Sequence, residues 1–116
     1  MSIAMIAEEM KSEWIGFPHL DWVQARLPLK NLGYIGLRSV DPPEAETIAK
    51  YGIAAYNMRD VVRYGIHDVV NQCLERIDPD KKQIFHLSID SDSLDPIEAP
   101  CTTVPGTLDP SRRKDA

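Results

Sequence analysis

The chain has 116 residues, of which 43% are hydrophobic and 27% are charged, so we expect one modest globular domain rather than a disordered or fibrous protein. The formal net charge of -5 argues against nucleic acid or an anionic membrane surface as a partner, because both bind basic surfaces. Two cysteines without C-x-x-C spacing, and no apolar run long enough for a signal peptide or a membrane span, predict a cytoplasmic protein with reduced thiols.

The first 28 residues predict a helix and then a loop. Ile3, Ile6 and Met10 are spaced i, i+3, i+7, which is typical of an amphipathic helix over residues 2–12. Residues 16–28 contain two prolines and no hydrophobic period, so we expect a connecting loop there.

A buried strand and a clearly signalled helix follow. Residues 32–37 form a compact apolar run of the length expected for a strand. The next helix should begin with Asp41 as its N-cap and Pro42 in its first turn, and Glu44 can return a hydrogen bond to the backbone of the cap. Gly52 should end this helix in a left-handed conformation.

The second half of the chain predicts another strand, a long helix and a final strand. Residues 53–58 form the second strand, and helical spacing begins at Asp60 and ends at Asp78, which precedes a proline. Residues 83–90 form the third strand. The core-facing stripe of the helix consists of Ile66, Val69, Val70, Cys73, Leu74 and Ile77.

Strands and helices alternate along the chain, which predicts an α/β fold with a parallel sheet in a three-layer α/β/α arrangement. We expect a single partial domain over residues 1–116, with a polar tail at 109–116. Ligands of such a sheet bind beyond the carboxyl ends of its strands. The residues that follow the third strand should therefore carry the chemistry.

Two carboxylates stand at that position, Asp90 and Asp92. If the extended geometry persists to residue 92, both side chains point to one face, about 6–7 Å apart along the backbone. Like charges held so close repel, so either one carboxyl is protonated or a divalent cation lies between them, and oxygen ligands favour magnesium, calcium or manganese. A plain aspartate-rich turn is the alternative that this spacing alone leaves open.

Two other kinds of protein carry aspartates at similar spacing. A calcium EF-hand is excluded because Leu94, Asp95 and Cys101 occupy its third ligand, glycine and closing glutamate positions. A phosphatase of the haloacid-dehalogenase type also has an apolar strand that ends in D-x-D, with the first aspartate as nucleophile. The position of the motif in this chain argues against the phosphatase. That family resembles a chain that carries its other motifs after this strand, and only 24 residues follow Asp92 here.

Three segments resemble the arginase family in order and spacing. They are residues 34–42 (YIGLRSVDP), 65–66 (GI) and 86–96 (HLSIDSDSLDP), with the pair 99–100 (AP) beyond. The resemblance runs from about residue 16 to residue 108. The strand with D-x-D-x-x-D-P is shared by ureohydrolases, including agmatinase-like relatives, whereas GLRxVDP resembles arginases specifically.

The resemblance implies a binuclear manganese (Mn²⁺) centre in which a metal-bridging hydroxide attacks the guanidinium carbon of L-arginine and releases L-ornithine and urea. By this matching Asp90 and Asp92 are metal ligands, and Asp95 lies among the residues that orient them. A homo-oligomer is expected for complete family members. The resemblance assigns no catalytic and no substrate-binding residue to this chain.

The chain also departs from the family pattern. Ser91 replaces a residue that is usually apolar, and the loop after Pro100 is shorter than in relatives. The family's Gly-Gly-Asp-His-like block, its Asp-x-His-x-Asp block and its catalytic histidine loop are absent. We therefore expect a manganese-dependent hydrolase by family, without activity in these 116 residues alone. A non-catalytic fragment or pseudoenzyme and an agmatinase-like ureohydrolase are the alternatives.

The three histidines do not replace the missing ligands. His19 and His67 are expected on the surface, and His86 is expected to be buried and hydrogen-bonded. His86 shares the face of Asp90, but four residues along a strand span about 13 Å, which is too far for the same ion.

Overall fold

A computed structural model describes residues 2–14, 19 and 22–94, with residues 2, 13, 14 and 92 described by their backbone alone. The polar tail predicted at 109–116 lies outside these residues. The strands and α-helices are α1 Ser2–Ile6, β1 Gly33–Leu37, α2 Pro42–Tyr51, β2 Ala54–Asn57, α3 Met58–Tyr64 and α4 Ile66–Ile77. Short 3₁₀ helices cover Glu8–Trp14, Leu29–Asn31 and Ser91–Ser93.

The two strands form a parallel pair, and α2 is the crossover helix between them. Gly33 pairs with Ala54 and Ile35 pairs with Tyr56, with an irregularity in the register between Ile35 and Leu37. Gly36 has a φ of 82°, which glycine adopts without the steric cost that a Cβ would bring. The strands predicted at 32–37 and 53–58 are thereby confirmed.

The predicted signals at both ends of α2 are also confirmed. Pro42 is the first helical residue, and the Glu44 carboxylate accepts a hydrogen bond from the backbone N–H of Asp41 at 3.2 Å. The helix ends at Gly52, whose φ of 63° is left-handed. Local side-chain chemistry is therefore sufficient to set the bounds of this helix.

The long helix predicted from Asp60 is wrong in one respect, because the chain forms two helices that Gly65 separates. Gly65 has a φ of 81°, which is incompatible with a continuous helix. The side chain of Asn57 caps the first of them, α3, by accepting from the backbone of Arg59 at 2.8 Å and Asp60 at 3.1 Å. The predicted end before Asp78 is confirmed, since α4 finishes at Ile77.

The sheet has a layer on each face, in agreement with the three-layer prediction. On one face Gly33 lies so close to Cys73 of α4 that an added Cβ would overlap the sulfur. On the other face Tyr34 packs in a cluster with Ile48 and Tyr51 of α2. Alternate residues of a strand point to opposite faces, so neighbouring residues of β1 contact different layers.

The stripe predicted for α4 is only partly buried. Val69 and Cys73 are 0% and 4% exposed, whereas Ile66 is 56% and Leu74 is 37% exposed. Burial raises the pKa of the Cys73 thiol, and the described part of the chain gives this cysteine no disulfide partner. The other cysteine, Cys101, lies outside the described residues, so the prediction of two reduced thiols stays a prediction.

The N-terminal segment packs against the end of the sheet rather than forming one continuous helix. The helix predicted over 2–12 is divided at Ala7, which forms a bridge with Leu27 between α1 and the following 3₁₀ helix. Ala7 is fully buried and joins Leu29 and Ile53 in the core cluster. Ile6, directly before this break, is 42% exposed.

The third strand predicted over 83–90 is wrong for the described chain, because these residues belong to neither helix nor strand. Ile84 is 99% exposed, and Leu87 and Ile89 are 76% and 75% exposed. A strand needs a neighbour that satisfies its backbone N–H and C=O groups, and no described segment pairs with this one. The sequence pattern is that of a strand, but the partner is lacking.

Asp78 controls how the chain leaves α4. Its buried carboxylate accepts hydrogen bonds from the backbone N–H groups of Gln83 at 2.9 Å and Lys82 at 3.1 Å. The bond from Gln83 is the largest of the causes that lower the pKa of Asp78 from its usual value of 3.8. The carboxylate thus fixes the turn that leads into residues 83–90.

We expect the Asp78 carboxylate to make stability depend on acidic pH. Because its pKa is lower in the folded chain than in the unfolded one, its stabilisation is present above about pH 4 and is lost as pH falls through the folded pKa. The gap in unfolding free energy between the unmodified chain and Asp78→Asn should therefore shrink from pH 7 toward pH 3 in urea titrations. Asp80→Asn is the control, since the Asp80 side chain is 75% exposed. A gap that stays constant over this range would contradict the assignment.

Candidate metal centre

Asp90 lies where the chain changes from the irregular segment to the 3₁₀ turn Ser91–Ser93. Its backbone is extended, with φ -91° and ψ 127°, and its side chain is exposed. The carbonyl of Asp90 accepts from the backbone N–H of Ser93 at 3.1 Å and from the Ser93 hydroxyl at 2.6 Å. Both bonds use the backbone carbonyl of Asp90, so the exposed carboxylate of this residue takes no part in holding the turn.

The turn changes the geometry expected for the two aspartates. Extended backbone does not continue to Asp92, which lies inside the 3₁₀ turn, so the 6–7 Å alternation argument does not apply to this pair. The side chain of Asp92 and the whole of Asp95 lie outside the described residues. The assignment of Asp90 and Asp92 as ligands, and of Asp95 as an orienting residue, stays a prediction.

Arg38 ties this turn to the carboxyl end of the sheet. The residue directly follows β1, and its guanidinium donates to the Ser93 carbonyl from Nε at 3.2 Å and from Nη2 at 3.0 Å. This contact joins residues 55 positions apart in the chain. It brings the acidic turn to the edge where an α/β sheet binds ligands, as the sequence predicts.

Removing the Arg38 guanidinium should loosen the turn without unfolding the chain. We expect the backbone amides of Ser93 and Leu94 to exchange at least about 10-fold faster in Arg38→Met, because a hydrogen bond from a charged group contributes about 1.5–3 kcal/mol. Amide exchange followed by NMR measures this effect. Arg76→Met is the matched control, since Arg76 donates one similar bond to the carbonyl of Gly52 at 3.1 Å. Equal exchange in both variants would show that Arg38 does not hold the turn.

The described part of the site offers the right kind of donor for a hard cation but too few of them. The carboxylate oxygens of Asp90 suit manganese, magnesium or calcium. Among residues 2–14, 19 and 22–94, no group of three or more histidine, cysteine, aspartate or glutamate side chains is placed to hold a metal ion. Within the described ranges Asp90 therefore supplies one suitable carboxylate and not a complete set of ligands.

All three histidines are exposed, and one of the three predictions about them is wrong. His19 is exposed, and the His67 side chain is 87% exposed beside Asp68, as predicted for both histidines. His86 is exposed as well, whereas we expected it to be buried. Burial of His86 required a strand packed in a sheet, and residues 83–90 are not paired.

Sequence reasoning did not identify the role of Arg38, which holds the Ser91–Ser93 turn, or that of Asp78, which fixes the exit from α4. A signal for Arg38 was present, because a residue directly after a parallel strand shares a sheet edge with the loop that follows another strand. A signal for Asp78 was weaker, since an aspartate before a proline usually indicates only the end of a helix.

Within the described ranges no helix is long and apolar enough to cross a membrane.

Comparison with known proteins identifies the family. The Arginase family model matches residues 7–111, a wider range than the 16–108 predicted from the motifs. Hepatic arginase of Aquarana catesbeiana is 40% identical over 108 residues, covering 91% of this chain and 33% of the relative. An arginase of Schizosaccharomyces pombe is 44% identical over 89 residues, which cover 75% of this chain and 28% of that one.

Solved structures give the same answer for the fold. The cold-adapted arginase of Glaciozyma antarctica superposes with a TM-score of 0.64 at 33% identity, covering 80% of this chain and 32% of that one. An arginase of Bacillus subtilis superposes with a TM-score of 0.68 at 30% identity, covering 84% of this chain and 35% of that one. The incomplete α/β fold with a parallel sheet is therefore confirmed.

The matches also decide between the alternatives that the D-x-D spacing left open. A haloacid-dehalogenase-type phosphatase is not supported, because both sequence and fold match arginases. The chain spans about a third of the length of the relatives it matches. The chain belongs to the arginase family.

Proposed function

We propose that residues 1–116 supply the acidic arm of a manganese-dependent arginase that hydrolyses L-arginine to L-ornithine and urea. The observation that carries the proposal is the position of Asp90, exposed at the carboxyl end of the sheet in a chain that belongs to the arginase family. The substrate comes from the relatives, whose names are those of arginases. Asp92 follows Asp90 in the same turn.

The residues of this chain would hold and place the metal. The carboxylates of Asp90 and Asp92 would bind it through oxygen, and Arg38 would keep their turn against the end of β1. Manganese, when bound, would lower the pKa of water so that hydroxide is available near neutral pH for attack on the guanidinium carbon. The neighbouring Asp95 would orient a ligand by hydrogen bonding.

We propose further that the isolated chain does not turn over arginine. A binuclear site needs more ligands than two aspartates, and the described residues hold no cluster of three metal-binding side chains. Since the chain spans about a third of its relatives, the other ligands and the groups that recognise the amino acid would come from the remaining two thirds of the fold.

A hybrid enzyme tests the substrate. In this hybrid arginase, the segment of the Aquarana catesbeiana enzyme that matches the chain is replaced by the aligned residues of the chain, which are 40% identical to it. We expect manganese-dependent release of urea from arginine and much slower release from agmatine. Both substrates are assayed with Mn²⁺ and with a chelator.

Two outcomes of this assay would contradict the proposal. A folded hybrid that prefers agmatine would make the chain part of an agmatinase-like ureohydrolase. A folded hybrid that is inactive on both substrates, while the unmodified Aquarana catesbeiana enzyme is active, would indicate that the chain carries a non-catalytic version of the arm. Circular dichroism and melting of the hybrid establish whether it is folded.

A further inference from the structure

We propose that residues 84–90 form a self-complementary pairing edge, through which two copies of this 116-residue chain associate as a weak antiparallel dimer. The two-fold axis of the dimer would pass through Leu87, so that Leu87 of one copy lies opposite Leu87 of the other. The inference concerns the isolated chain and is independent of the metal site and of the proposed hydrolysis.

The first observation is the free backbone of the pairing edge. Among the described residues no hydrogen bond involves the backbone of residues 84–89, and none of these six residues has a positive φ. Asp90, at the end of the edge, has extended backbone with φ -91° and ψ 127°. An exposed stretch with free N–H and C=O groups is a template for pairing with another chain.

The second observation is the composition of the pairing edge. Residues 84–89 contain no aspartate, glutamate, lysine, arginine, proline or glycine, which is typical of segments that pair with copies of themselves. In an extended segment the alternating residues Phe85, Leu87 and Ile89 point to one face. These three side chains are 47%, 76% and 75% exposed. One face of the edge is therefore apolar and open to a partner.

The charges at the two ends of the pairing edge favour an antiparallel arrangement. Lys81 and Lys82 precede the edge, whereas Asp90 and Asp92 lie at its end and just beyond it. An antiparallel pair brings the basic end of one copy beside the acidic end of the other, and a parallel pair brings like charges together. Opposite charges across a strand pair stabilise it and like charges destabilise it. The edge is thus complementary in charge to a second copy of itself.

The apolar residues determine where the two-fold axis lies. With the axis at Leu87, Phe85 of each copy lies opposite Ile89 of the other copy, and Leu87 lies opposite itself. All three pairs on this face are then apolar. Moving the axis to His86 would place Ile89 opposite a polar residue, and moving it to Ser88 would do the same to Phe85. Leu87 is therefore the axis that pairs every apolar residue of this face.

Both ends of the pairing edge are already held to their own chain. Before the edge, the Asp78 carboxylate accepts from the backbone N–H groups of Lys82 and Gln83. After the edge, Arg38 donates to the Ser93 carbonyl. Because these tethers order the segment in advance, association costs less conformational entropy. A tethered segment offers a second copy the edge that faces away from its own chain, and pairing through one edge in each copy closes at a dimer.

The small contact area makes the expected dimer weak. The edge of 84–90 extends over about 24 Å and a sheet is about 10 Å thick, so the contact covers about 240 Å² in each copy. Stable interfaces bury about 800 Å² in each partner, so we expect reversible association that depends on concentration.

Sedimentation velocity of the complete chain measures this association, from about 5 µM to about 500 µM, a range suited to weak binding. A chelator is present throughout, so that no metal ion can bridge the carboxylates of two copies. We expect monomer at the lowest concentration, a rising fraction of dimer, and no larger species. Amide exchange should slow at every second residue of 84–90 at the highest concentration only, because an antiparallel edge bonds through alternate residues.

Two lysine substitutions test the position of the axis. Leu87→Lys places two positive charges opposite each other, so the dissociation constant of the dimer should rise at least about 10-fold. Ile84→Lys is the matched control, since Ile84 is 99% exposed and would lie opposite Asp90 of the second copy. Its dissociation constant should stay within about threefold, because exposed ion pairs contribute little. Melting at the lowest concentration establishes that both variants are folded.

Several results would overturn the proposal. Monomer at every concentration, or assembly that continues beyond two copies, would exclude a closed dimer. Slow exchange at 84–89 that is independent of concentration would identify a partner within the chain, such as residues 95–116. Equal weakening by Leu87→Lys and Ile84→Lys would show that the edge does not pair about Leu87. None of these results decides the proposed hydrolysis, which the hybrid enzyme tests separately.

Discussion

Replacing Asp90 by asparagine in the hybrid arginase is expected to lower kcat/KM for arginine at least about 100-fold, which corresponds to about 2.7 kcal/mol. Asparagine keeps the size of the side chain but removes the negative charge that a divalent cation requires from its ligand. Asp92→Asn should have an effect of the same order. Added Mn²⁺ should recover part of the lost activity, because a weakened site fills at higher metal concentration.

A control variant separates loss of a metal ligand from the general effect of removing an exposed carboxylate. Asp80→Asn is the matched control, since Asp80 is 75% exposed and forms an ion pair with the equally exposed Lys82 at 3.5 Å. Its activity should stay within about twofold of the unmodified hybrid, because exposed ion pairs contribute little. Full activity of Asp90→Asn at limiting manganese would remove Asp90 from the metal site.

Gly33→Ala is expected to destabilise the chain by about 1–3 kcal/mol, the usual cost of adding a methyl group to a packed interior. The new Cβ would overlap the Sγ atom of Cys73 and would contact Ile77 at 3.8 Å, so α4 could not keep its distance from β1. Urea denaturation followed by circular dichroism measures the loss. The size of the loss reflects how little space the contact between β1 and α4 leaves for a side chain at residue 33.

The double variant Gly33→Ala with Cys73→Ala provides the control. Removing the sulfur makes room for the added methyl, so the double variant should be more stable than the sum of the two single changes predicts, by about 0.5–3 kcal/mol. Gly52→Ala is a useful contrast, because nothing lies within 4 Å of its Cβ position and its cost comes from the φ of 63° alone. Additive losses at Gly33 and Cys73 would show that α4 does not pack on β1 at this point.

The parts of the fold that sequence predicts correctly are those with local causes. The bounds of α2 follow from Pro42, Glu44 and Gly52, all of which lie in or next to the helix. The strands β1 and β2 follow from short apolar runs. The break at Gly65 is also local, but a hydrophobic stripe can hide a glycine whose φ is positive.

The parts that sequence predicts wrongly depend on residues far along the chain. Residues 83–90 have the composition of a strand, but a strand exists only when its neighbour is present. The exposed position of His86 has the same cause, because its burial depended on that strand. The bond from Arg38 to Ser93 joins distant segments and has no local signature.

The candidate site was also predictable only in part. The D-x-D motif located the turn, and the family matches support its descent from arginases. The conformation of the turn was not predictable, since extended geometry ends at Asp90 and a 3₁₀ turn follows. A complete ligand set cannot be derived from a chain that spans about a third of its relatives.

The central claim is that the chain carries one arm of an arginase site and not the whole site. The direct measurement is urea release from L-arginine by the purified 116-residue chain with added Mn²⁺, beside a variant with both Asp90→Asn and Asp92→Asn. We expect the same background rate for both proteins. Urea release by the unmodified chain that the two substitutions abolish would contradict it.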